Sequence, residues 1–139
     1  RLITSFCGVF GFSIMFNSTI PMAAIAALIG AVANTFRLEL IDFTGMPPAA
    51  AAFIGALSAG LLASEIKKNN GYPRISLTVP SIVIMVPGLY LYRAIYNFGI
   101  MSLTEAVSWF TSAIMIIIML PLGLIFARIL TDRAFRFCT

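Results

Sequence analysis

The residues best placed to do chemistry are Pro87 and Gly88, because they interrupt a long apolar run at a depth where water is scarce. Each proline deletes a backbone N–H, so a helix carrying Pro80 and then Pro87-Gly88 is expected to kink or split, leaving carbonyls and amides that protein, water or ligand must satisfy. The positive end of the half-helix after such a break suits an anionic group. Arg93 follows within the same segment, flanked by Tyr90, Tyr92 and Tyr96. A guanidinium pairs with a carboxylate through two parallel hydrogen bonds. The same Arg-Tyr grouping also describes a snorkelling cation in an aromatic belt, and a Pro-Gly kink can be purely structural, so both readings stay open. Asn17 and Asn34 are amides beside apolar helices; either could contact a solute, and cross-helix hydrogen bonding is their commoner use. Glu105 is expected to cap the last long helix, with a proton-coupling role as the alternative. Glu39, Asp42, Glu65 and Asp132 read as solvated groups at helix ends.

The chemistry that is missing narrows the class. There is no His, no paired Cys ligand set, no Gly-rich phosphate loop and no acid–base pair within a helical turn of the apolar blocks. No metal or cofactor is expected, and an enzyme would have little to work with.

Such groups need elements to hold them, and those are set by solvent. Sixty per cent of the 139 residues are hydrophobic and 10% are charged, against about a quarter in soluble domains. Charge-free stretches from Leu2 to Phe36, Phe43 to Ser64, Ile75 to Tyr92 and Ala106 to Ala127 each reach the roughly 18–20 residues that cross about 30 Å of hydrocarbon, and the first is long enough for two crossings. The expectation is a single all-α transmembrane domain over 1–139 with about five helices, near 3–16, 20–36, 48–66, 76–98 and 105–128. Asn17-Ser18-Thr19 before Pro21 marks the first turn; Arg37 and Glu39 close the second helix; Pro47-Pro48 open the third. Lys67-Lys68-Asn69-Asn70-Gly71-Tyr72-Pro73-Arg74 is the most polar segment and is expected in solvent.

The nine Lys and Arg residues form no dense stripe, so the net charge of +4 does not point to nucleic acid. With five crossings Lys67, Lys68, Arg74, Arg128, Arg133 and Arg136 share one side, which the positive-inside rule makes cytoplasmic together with the C-terminus; Arg1 and Arg37 fall opposite. A re-entrant fourth helix would move the tail. The two cysteines, Cys7 and Cys138, read as free thiols. The chain starts at Arg1 without Met, so a first helix cut short is expected. Pro21-Met22-Ala23-Ala24 leading to Gly30 and Pro48-Ala49-Ala50-Ala51 leading to Gly55 resemble each other faintly, mostly through Ala. In the third helix Ala52, Gly55, Ala56, Ala59 and Gly60 set small side chains on one face, a surface another backbone can approach closely.

Gly11-Phe12, Phe16-Asn17, Val79-Pro80 and above all Val86-Pro87-Gly88 with Tyr92-Arg93 resemble, in order and spacing over nearly the whole chain, the C-terminal half of the threonine/serine exporter family. The resemblance implies efflux of small amino acids driven by the proton-motive force, with small dicarboxylates such as succinate as an alternative. Fused members carry a preceding membrane half not found here, so the resemblance implies a separate small subunit with a larger membrane partner in the bilayer; a homo-oligomer is a further expectation. Carried over by position, Pro87, Gly88, Tyr92 and Arg93 are the expected substrate contacts, with Asn17 after them. A non-transporting scaffold that holds its partner through Gly55 and Ala59 is the competing reading.

Overall fold

The computed structural model describes residues 1–132. Arg133, Arg136 and Cys138 lie outside them. The described chain is all helical: α1 Leu2–Met15, α2 Ile20–Thr44, α3 Pro48–Asn70, α4 Arg74–Val83, α5 Gly88–Gly99 and α6 Leu103–Thr131. Ile20–Thr44, Pro48–Asn69, the α4–α5 stretch Arg74–Gly99 and Leu103–Thr131 are long and apolar enough to cross a membrane, and Leu2–Met15 is a shorter apolar helix. The described chain is therefore an all-α, multi-pass membrane protein with five helical stretches, four of them of membrane-spanning length, the fourth stretch broken before Gly88.

Local chemistry sets the stops. Asn17 takes a left-handed conformation (φ 59°) that turns the chain into α2, where Pro21 occupies the first turn. Gly45 and Gly71 end α2 and α3 in the same conformation, each N–H closing on the carbonyl four residues back. The main difference from the sequence expectation is the end of α2. The charged pair Arg37 and Glu39 does not terminate it, and the helix runs on to Thr44. Arg37 is drawn inward to a partner while Glu39 and Asp42 face out, so the helix carries its charges on separate faces.

Contacts along the helices fix their directions. Arg1 pairs with Asp42 at 2.5 Å, Asn34 reaches Ser5, and Gly30 faces Val9, so α1 and α2 are antiparallel. Gly123 packs on Phe53 and Ala56 while Gly60 meets Ala127, so α3 and α6 run parallel. Arg74 lies beside Asp132 at the end of α6, and Tyr90 and Arg93 lie on Trp109 in its first half. The α4–α5 stretch therefore passes antiparallel to α6 and does not turn back at the break.

The core is built from small residues. Ala26, Ala33, Ala52, Ala56, Ala59 and Ala63 are fully buried around Ile29, Leu77, Met85, Ile116 and Leu120. Large side chains such as Ile117, Ile118, Leu122 and Phe126 point outward. That inversion suits a solvent of lipid tails, where close backbone approach and not hydrophobic expulsion holds helices together.

Candidate functional site

The break between α4 and α5 is a sequence of short backbone bonds. Met85 and Val86 donate to the carbonyls of Ile82 and Val83, and Gly88 N–H then bonds Val86 O at 2.8 Å around Pro87 (φ −79°, ψ 53°). This last bond is an inverse γ-turn, which reverses one peptide and lets the helix restart with Leu91 N–H on Pro87 O. The detour strands the Met85 carbonyl. Arg37 satisfies it: Nη1 donates across 2.9 Å from α2.

That reach depends on Gly55 in α3. A Cβ there would stand 3.1 Å from Arg37 Cβ, 3.3 Å from its Cγ and 3.4 Å from Met85 Sδ. The bare glycine makes the slot through which the arginine passes. Tyr90 is the third residue of α5. Its ring meets Trp109 edge-on with centroids 5.5 Å apart, and Arg93 Cζ sits 4.7 Å over the Trp109 ring. Two arginines thus bracket the start of α5, one inside the bundle and one on its outer side.

Several buried polar atoms near Arg37 have no partner among the described residues. Asn34, one turn earlier on α2, donates Nδ2 to Ser5 Oγ at 2.9 Å and leaves its Oδ1 bare. Thr35 Oγ1 and Arg37 Nε are also bare. An unpaired buried group costs about 1–3 kcal/mol in a protein interior, and lipid offers no relief. Ionisable groups at membrane depth are accordingly read first as functional.

The residues named from sequence fall in three places. Pro87 is buried in the break, and Gly88 is exposed at the head of α5, where an added Cβ would meet nothing within 4 Å. Tyr92 (65% exposed) stacks with Tyr96 on the outer face of α5, and Arg93 is exposed beside Trp109. Asn17 is not brought to the break; it is exposed in the α1–α2 turn, about 13 Å along α1 from Gly8, whose Cβ position faces Ile84. Ala52, Gly55, Ala56, Ala59 and Gly60 are all buried, and Gly55, Ala56 and Gly60 face α2, α4 and α6 of this same chain. That face leaves no surface through which Gly55 could hold a separate partner.

Arg37 was missed by sequence reasoning, which took it as closing the second helix. The signal was present: Gly45 just before Pro47-Pro48 is the natural stop, and it puts Arg37 two turns inside the helix. Among the described residues no group of three His, Cys, Asp or Glu side chains gathers to hold a metal.

No curated protein and no solved structure matches the chain. A family model described as Threonine/Serine exporter, ThrE matches residues 1–130.

Proposed function

This chain belongs to the threonine/serine exporter family, and from that premise we propose that it is the small subunit of a secondary-active exporter of small carboxylate-bearing solutes. Threonine and serine are the first substrates of this reading, the proton-motive force its drive and a larger membrane subunit its partner. The α4–α5 break is its solute site. The carrying observation is the Arg37–Met85 contact, because it places a cation on unwound backbone between helices.

A carboxylate has two groups to meet there. The amide end of α5 at Gly88 carries positive partial charge, and an arginine supplies the countercharge. Gly88 gives backbone access, since no side chain among the described residues occupies the space a Cβ would need. Arg93 and Tyr92 flank the outer side, where the second membrane half completes the path. Orientation follows from charge: Lys67, Lys68, Arg74 and Arg128 gather at the end where α3 and α6 finish, and the positive-inside rule makes that end, with the C-terminus, cytoplasmic.

The test is efflux of threonine, serine and succinate from cells lacking this chain, its partner or both. The reading expects each single loss to trap the same solute, with threonine or serine affected and the double loss no worse. Loss of efflux only on removal of the partner would make this chain a dispensable helper.

A further inference from the structure

At the end of the bundle remote from Asp42, a cavity of about 430 Å³ opens between α4 and α6. Its walls are Ile75, Val79, Leu124 and Ile125, and its mouth is ringed by Lys67, Arg74, Arg128 and Asp132. A smaller cavity of about 140 Å³ continues from the same Lys67, Arg74 and Asp132 toward Ser64 and Thr131. Among the described lining residues three cations stand against one carboxylate, a net charge of +2.

That carboxylate is also shared. Asp132 Oδ2 stands 3.4 Å from Arg74 Nη1 and 3.8 Å from Arg128 Nε, both longer than the 2.7–2.9 Å of a charge-assisted hydrogen bond. Arg74 spends its other terminal nitrogen on Gly60 O at 3.3 Å. Its side chain is only 13% exposed, so the charge is held in place and not free to turn to water. Lys67 makes no ion pair among the described residues. Lys67 and Arg128 also stand in the last turns of α3 and α6, where cations balance the negative helix ends, but Arg74 opens α4 and has no such duty.

We propose that this cavity binds one anionic phospholipid, with its phosphate held by Lys67, Arg74 and Arg128 and an acyl chain laid between Ile75, Val79, Leu124 and Ile125. Charge complementarity selects the headgroup, and the apolar slot running on from it selects a lipid over a free phosphate. Basic pockets between membrane helices recognise anionic headgroups by this combination. The inference rests on the membrane fold and not on the transported solute.

The test is thermal unfolding of the full-length, detergent-solubilised protein titrated with phosphatidylglycerol, phosphatidylcholine or glycerol phosphate. Phosphatidylglycerol is expected to raise the unfolding midpoint saturably and the other two are not. Lys67→Gln, at an exposed position without an ion pair, keeps the fold and weakens the titration about fivefold; Lys67→Gln with Arg128→Gln weakens it about 25-fold. Val79→Trp fills the slot and abolishes the phosphatidylglycerol response while leaving the basic ring intact. Equal stabilisation by phosphatidylcholine, a response to glycerol phosphate alone, or titrations unmoved by these substitutions would overturn the proposal.

Discussion

The guanidinium of Arg37 in α2 and the carbonyl of Met85 in the α4–α5 break meet at 2.9 Å, so that one helix completes the hydrogen bonding of another at its interruption. The contact explains why α2 carries a part-buried cation and why α3 has glycine opposite it at position 55. Both features serve the interruption around Pro87, and the function inferred for the chain is built on that interruption.

Two glycines separate packing from function. A Cβ on Gly123 would lie 2.5 Å from Phe53 O and 2.8 Å from Ala56 Cβ, and backbone cannot yield as a side-chain tip can. Gly123→Ala is expected to cost about 1–3 kcal/mol and lower the thermal midpoint of the purified protein. Gly88 has open space and ordinary backbone angles, so Gly88→Ala should leave stability unchanged or raise it slightly. A loss of efflux in Gly88→Ala at normal membrane abundance then reports on the site; full efflux would remove Gly88 from it.

Much of this arrangement was legible in the sequence. Apolar run lengths showed helical segments, and Asn17-Ser18-Thr19 before Pro21, Pro47-Pro48, Gly71-Tyr72-Pro73 and Pro87-Gly88 showed where the chain turns or breaks. Gly45 before Pro47-Pro48 marks the end of α2, but the role of Arg37 was not legible, because a charge inside an apolar run either reaches out to water or turns inward when another helix offers a carbonyl. Only the tertiary partner, Met85 O, decides between them. The α3 stripe was visible as a pattern of small residues, but its neighbours, Arg37 for Gly55 and Ala127 for Gly60, depend on directions of helices that no local pattern encodes.

Arg93 offers a second, independent check on the outer side of α5. Its cation–π contact with Trp109 is exposed and worth about 0.5–1 kcal/mol, so Arg93→Ala should fold with a slightly lower midpoint. The exporter reading expects efflux to fall several-fold more than Arg93→Lys, which keeps the charge but loses the planar fork. Unchanged efflux in both variants would leave Arg93 a residue that simply reaches for the membrane interface.

Backbone strain predicts a stabilised protein. Met101 adopts φ 60° in the α5–α6 turn, a conformation costing a side chain about 1–2 kcal/mol that glycine avoids. Met101→Gly should raise the thermal midpoint without altering efflux. Asn17 has nearly the same φ but tolerates it better, so Asn17→Gly should change stability much less.

The central claim is that a small carboxylate-bearing solute passes the α4–α5 break under the charge of Arg37. Its most direct measurement is efflux of preloaded labelled threonine, serine and succinate from cells lacking the chain, complemented at matched membrane abundance by the wild-type protein or by Arg37→Gln. The account predicts that wild type restores threonine or serine efflux and that Arg37→Gln lowers it by about tenfold or more, a loss of about 1.4 kcal/mol. Full restoration by Arg37→Gln, or retention of none of the three solutes when the chain is absent, would contradict it.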